Sequence, residues 1–155
     1  DHYLDWISET LLPLVGPKLR LATDRPNLGL LGSSLGGLIS CYAGWTRDTF
    51  GRVGCMSSSF WWDNQWFNNT LLTDHTPPAK DTIFYVDSGD QPAPDGDDEL
   101  ETIGVRDHLQ RLGWKFDETL FYYLQKGGAH NEASWGERFE IPMQWLYPLQ
   151  TLAPA

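Results

Sequence analysis

The run Gly32-Ser33-Ser34-Leu35-Gly36-Gly37 constrains this chain more than any other stretch. The apolar segment Leu28-Gly29-Leu30-Leu31 precedes it and Leu38-Ile39-Ser40-Cys41-Tyr42-Ala43 follows, which reads as strand, sharp turn, helix. In the frame G-x-S-x-G, Gly32 and Gly36 bracket Ser34. A strained strand-to-helix turn lifts such a serine above a sheet, and small flanking residues let the chain pass close by. A helix starting at Leu35 offers unpaired N–H groups beside the hydroxyl, where negative charge on an oxygen would be stabilised. The same letters in isolation describe an ordinary Ser/Gly-rich turn. The apolar flanks on both sides favour the first reading.

Periodicity extends the pattern. Leu4, Ile7 and Leu11 predict a helix over 3–12 that ends near Pro13, and a turn at 24–27 leads into a strand over 28–33. A helix over 35–46 should turn Leu35, Leu38, Ile39 and Tyr42 to a sheet, and residues 52–57 should be the next strand. Residues 58–81 read as a long irregular insertion rich in aromatics, a length usually reserved for function. A strand over 82–86, an acidic loop from Asp87 to Glu99 and a helix over 100–112 follow, with Leu100, Ile103, Leu109 and Leu112 inward. The last strand is 120–124, then a glycine-bearing loop to His130 and a closing helix over 135–146. Strands alternating with helices predict an α/β fold with a parallel sheet, a single domain of about four strands. Function in such sheets collects at the carboxyl ends of the strands. Those ends carry Ser34, the Trp61/Trp62 segment, the acidic loop and His130.

Composition narrows the partners. The 155 residues carry a formal charge of −10, which argues against nucleic acid or an anionic membrane surface. No apolar stretch is long enough to span a bilayer. Cys41 and Cys55, on the predicted helix and the next strand, read as buried free thiols, with a disulfide as the alternative. The cytoplasm is the expected compartment, with secretion the alternative. Asn68-Asn69-Thr70 matches a glycosylation sequon, a pattern common by chance.

A serine hydroxyl needs a base to take its proton, and the base works best with a carboxylate fixing its tautomer. His130, just past the last strand, suits the base better than His2, His75 or His108, which sit at the terminus, in the insertion and on a helix. For the acid, Asp97 is the first choice in the loop after the third strand, with Asp95 and Asp90 behind it and Asp98 also open. The acidic loop as a calcium site is a minor alternative, since its spacing differs from an EF-hand; no metal or cofactor is expected. Phe60, Trp61, Trp62, Trp66 and Phe67 stand among polar residues and read as an amphipathic wall over the site, with core packing as the alternative. Trp135 would close the other side. The order Ser…Asp…His is that of an α/β-hydrolase chain.

At these residues the chain resembles the putative esterase family of α/β-hydrolases, which includes enterobactin esterase, esterase D, feruloyl esterases and mycolyltransferases. The likeness runs through Gly32–Gly37, Ser58-Ser59-Phe60-Trp61-Trp62, 85–90 and Gly128-Ala129-His130-Asn131-Glu132-Ala133-Ser134-Trp135. It implies Ser34 as nucleophile, His130 as base and an acid soon after Gly89, a spacing that Pro92-Ala93-Pro94 interrupts and so moves to Asp97. It also implies Leu35 N–H as one oxyanion donor, and a further half supplying more strands and the second donor. On that reading these residues form a carboxyl-terminal portion, with an unpaired sheet edge at the serine's strand, completed by an amino-terminal segment or by self-association. The expected function is hydrolysis of a small-molecule ester or thioester. Acyl transfer by the same residues, or a non-catalytic binding module, are the alternatives.

Overall fold

The computed structural model describes residues 2–74, 76–77, 81–92 and 96–148. Among the described residues four strands form one sheet in the order β1-β2-β3-β4: β1 (Gly29–Ser33), β2 (Arg52–Met56), β3 (Ile83–Gly89) and β4 (Leu120–Gln125). All three pairings are parallel, with Gly32 opposite Cys55, Cys55 opposite Val86, and Val86 opposite Tyr122. Among the described residues β1 lies at one edge, as the serine's strand was expected to. β3 runs three residues past its predicted end, because Asp87, Ser88 and Gly89 continue the ladder with Tyr123, Leu124 and Gln125.

Side chains alternate across the sheet, so neighbours on one strand enter different cores. Phe84 and Val86 face one cluster with Val53 and Cys55, covered by α3 (Leu35–Thr46) and α6 (Glu99–Arg111). The amino-terminal helices α1 (His2–Trp6) and α2 (Leu12–Val15), joined by a π turn over Ile7–Leu11, add Leu4 and Ile7 to that side. Tyr85 and Met56 face the other cluster, with Phe121 and Leu146, under α8 (Glu140–Leu146). Trp114 joins the first core edge-on to Phe84, and its indole N–H donates to Thr82 O at 2.8 Å.

Several local expectations change. Pro13 does not end the first helix; it falls in the first turn of α2, where its missing N–H is not needed. On α3 the buried residues are Gly37, Ser40, Cys41, Ala43, Gly44 and Trp45, while Leu35 is half exposed and Leu38, Ile39 and Tyr42 are only partly covered. Small residues let the helix approach the sheet: a Cβ at Gly44 would stand 2.8 Å from Val53. On α6 the inward residues are Thr102, Val105 and Leu109, and Leu100 points to solvent. The insertion is largely helical: α4 (Trp62–Trp66), a π turn over Phe67–Leu71 and α5 (Leu72–Asp74). Within α4, Asp63, Asn64 and Gln65 are left-handed, with φ of 50°, 53° and 60°. The closing helix is two, α7 (Glu132–Arg138) and α8, and α7 starts earlier than predicted because Asn131 caps it, accepting from Ser134 N–H at 2.9 Å.

Cys41 and Cys55 are bonded to each other, which corrects the reading of free thiols. The bond ties α3 to β2 inside the core, where both residues are fully buried. No helix among the described residues is long and apolar enough to cross a membrane.

Candidate active site

Ser34 sits between β1 and α3 with φ 58° and ψ −126°, a conformation that non-glycine residues adopt only at a cost. Packing holds it there. Ser34 N–H donates to Met56 O at 3.0 Å, and its own carbonyl accepts from Leu38 and Ser59 N–H at 3.0 and 3.1 Å. The glycines beside it are needed for different reasons. A Cβ at Gly32 would lie 2.5 Å from the Gly36 backbone, and one at Gly37 would meet Ser58 Oγ at 2.3 Å. Leu35 opens α3, so its N–H has no acceptor within the helix.

His130 is carried by the loop between β4 and α7. This loop is fastened to β3: Gln91 N–H donates to Gly128 O at 3.0 Å and Asp90 N–H to Gln125 O at 3.2 Å. Gly89 and Gly128 approach so closely that a Cβ on Gly89 would fall 2.0 Å from Gly128 O. The approach brings three distant residues into one chain of hydrogen bonds. His130 Nε2 lies 2.9 Å from Ser34 Oγ, and His130 Nδ1 lies 2.8 Å from Asp97 Oδ1. With Nδ1–H donating to the carboxylate, Nε2 is left to accept from the serine. Ser59 Oγ is a further neighbour, 3.2 Å from Ser34 Oγ.

The Asp97 side chain is 1% exposed, against 26% for His130. Its Oδ2 accepts from Gly89 N–H at 2.7 Å and from Ser57 O–H, and its Oδ1 also receives Asp98 N–H at 3.2 Å. Buried carboxylates persist when hydrogen-bonded in this way. Of the other acids considered, Asp90 is exposed and accepts from Gly127 N–H instead. Asp98 precedes α6 and borders the cleft beside His130; burial first, then the charge of Glu101, raise its carboxyl above the ordinary range. Asp95 falls outside the described residues, as does His75.

A group outside the sequence expectations lies behind Asp97. Arg138 on α7 is 1% exposed; its Nη2 lies 2.9 Å from Asp87 Oδ1 and 3.7 Å from Asp97 Oδ2 and donates to Ser57 Oγ. Asp87 also accepts from Ser57 N–H and from Tyr85 O–H, each at 2.9 Å. Burial, followed by the Asp87 charge, pushes the Tyr85 phenol far up, so it stays a donor. The spacing of Trp135 and Arg138 on one helix face was the available clue, since Trp135 packs edge-on to His130 with centroids 5.2 Å apart.

The aromatic wall divides. Phe60 and Phe67 are core residues, 1% and 3% exposed, whereas Trp61, Trp62 and Trp66 reach the surface. Trp61 lines a polar cleft of about 520 Å³ with Gln91, Asp98, His130 and Asn131. Trp62 and Trp66 line an apolar groove of about 340 Å³ with Leu35, Leu38, Ile39 and Tyr42, the very α3 residues expected to face the sheet. Asn68 Oδ1 accepts from His108 Nδ1–H at 3.0 Å. Among the described residues no cluster of His, Cys, Asp or Glu is arranged to hold a metal ion.

Comparison with known proteins agrees with this geometry in fold. YbbA of Bacillus subtilis (strain 168), itself uncharacterised, is 26% identical over 94% of this chain and 59% of its own length. The enterochelin esterase of Shigella flexneri superimposes with a TM-score of 0.75 at 21% identity, over 92% of this chain and 36% of that one. An IroE-like serine hydrolase of Shewanella oneidensis gives 0.67 at 21% identity, over 92% of this chain and 46% of its own. The chain thus spans between about a third and three-fifths of these relatives' lengths. The model of the family described as putative esterase matches residues 1–144, and with the parallel sheet and the esterase-like fold this chain belongs to that family, in the α/β-hydrolase fold.

Proposed function

We propose that this chain carries the catalytic triad of a serine esterase. The observation that supports it most is the continuous path Ser34–His130–Asp97, with links of 2.9 and 2.8 Å, beneath a strained serine at the head of a helix. In this reading Ser34 Oγ attacks the ester carbonyl while His130 Nε2 takes its proton, and the Leu35 N–H faces the developing oxyanion. His130 then protonates the leaving alcohol, with Asp97 holding the imidazole and stabilising its cation. Water, deprotonated by His130, cleaves the acyl-serine by the reverse steps. An alcohol in place of water would make the same residues an acyltransferase.

The ester is a small molecule. The polar cleft beside His130 suits the alcohol half, because His130 must reach the leaving oxygen, and the groove of Trp62, Trp66 and Leu35 suits an apolar or aromatic acyl half. The Cys41–Cys55 bond favours the secreted alternative over the cytoplasm.

The test is turnover of p-nitrophenyl butyrate, with fluorophosphonate labelling, by this chain beside Ser34→Ala. Labelling at Ser34 and turnover, both abolished by Ser34→Ala, are expected. A chain that neither turns over the ester nor takes the label would refute an activated Ser34 and favour the binding-module reading.

A further inference from the structure

We propose that Arg138, Asp87 and Ser57 form a buried positioning relay that aims the Asp97 carboxylate at His130 and sets the charge the imidazole feels. The inference rests on the triad reading above, but its test includes a readout that needs no activity.

The direction of the relay follows from donor chemistry. A guanidinium can only donate, so Ser57 Oγ accepts from Arg138 Nη2 and its single proton goes to Asp97 Oδ2. Together with Gly89 N–H, this occupies Oδ2 and leaves Oδ1 for His130. Ser57 is itself held in place, with φ 38° and its N–H on Asp87 Oδ1. Removing Ser57 or Arg138 would take away the side-chain hold on Oδ2 and leave Asp97 to the Gly89 and Asp98 N–H groups.

Charge gives the second half of the argument. Two buried carboxylates share one buried guanidinium: Arg138 is 2.9 Å from Asp87 but 3.7 Å from Asp97. Asp87 is thus neutralised by Arg138 and further satisfied by Tyr85 O–H. One negative charge is left over, on Asp97, facing the imidazole. The site is balanced when His130 carries a proton, the state it must enter in the reaction. A purely structural ion pair would need only Arg138 and Asp87.

The charged groups on the elements around His130 are Asp97 and Asp98 before α6, the partly covered Glu99 and Glu101 in its first turn, Asp87 and Asp90 on and after β3, the exposed Lys126 in the His130 loop, and Glu132, Glu137 and Arg138 on α7. Of these, Asp90, Glu132 and Glu137 are exposed and screened by water. Asp98 is partly covered and borders the same cleft. Asp87, Asp97 and Arg138 remain as the buried charges.

The experiment compares Arg138→Gln, Asp87→Asn and the double variant in the full chain. Two readouts are followed: the His130 imidazole titration by NMR, assigned with His130→Gln, and the acid limb of kcat/KM. Arg138→Gln removes a positive charge and should move both midpoints to higher pH, by about half a unit. Asp87→Asn removes a negative charge and should move them down by a similar amount. The double variant should return close to the wild type. Shifts of one sign in both single variants, or none, would overturn the relay. Should Arg138→Gln fail to fold, a downward shift in Asp87→Asn that the double variant abolishes carries the same test. A wild-type chain that never acylates Ser34 would sink the esterase reading alone, since the NMR midpoints would still decide the relay.

Discussion

Asp97 Oδ1 lies 2.8 Å from His130 Nδ1 across 33 residues of sequence, while the adjacent Asp98 lines the cleft beside the same ring. One backbone step separates a carboxylate that is saturated with donors from one that burial makes reluctant to ionise. The contrast favours Asp97 as the acid of the proposed triad, the first choice among the carboxylates of the acidic loop.

Asp97→Asn should therefore lower kcat by about 10³–10⁴ with little change in KM, because the amide presents the wrong partner to the imidazole. Asp98→Asn should cost less than about tenfold. Steady-state kinetics on the two variants checks the assignment, and the reverse ranking would transfer the role to Asp98.

Gly32 and Gly36 occupy equivalent places in the motif but not in the structure. Gly36→Ala meets nothing within 4 Å and lies on a helix, so stability should hold or rise slightly. Gly32→Ala drives its Cβ to 2.5 Å from the Gly36 backbone and should cost about 1–3 kcal/mol. Urea unfolding of both variants measures the difference; equal effects would contradict the close approach of β1 and α3.

The Cys41–Cys55 bond closes a loop with a sequence separation of 14. Replacing both residues by Ala should lower the unfolding free energy by about 3 kcal/mol, part of it through the unfolded chain. A thiol reagent should find no free sulfhydryl in unfolded, unreduced protein and both after reduction. Free thiols before reduction would return the pair to the original expectation.

The sequence made the frame legible because the relevant signals are local. Apolar runs of strand length, separated by helical periods and turn residues, give the order of β1 to β4. The G-x-S-x-G frame places Ser34 at a strand's end, and the glycine-bearing loop after β4 singles out His130. These need only the periods of the backbone and the steric rules of glycine.

Helix faces were less legible. On α3 the large apolar residues suggested the buried side, yet Gly37, Cys41 and Gly44 are what touch the sheet, because a close approach selects small side chains. Leu35, Leu38 and Tyr42 line a groove, Leu38 and Tyr42 with one side still packed on the core, and only the packing distance decides that division.

What the sequence determined by itself is the α/β order, the serine at its turn and the histidine after the last strand. The tertiary structure alone decided that Asp97 is the carboxylate that meets His130, that Cys41 and Cys55 pair, and that Arg138, Asp87 and Ser57 gather behind it. Those are long-range relationships, 51 residues for Arg138 to Asp87 and 40 for Ser57 to Asp97. A buried charge leaves no periodic trace along the chain, because its partner is fixed by where the strands end in space and not by spacing in sequence.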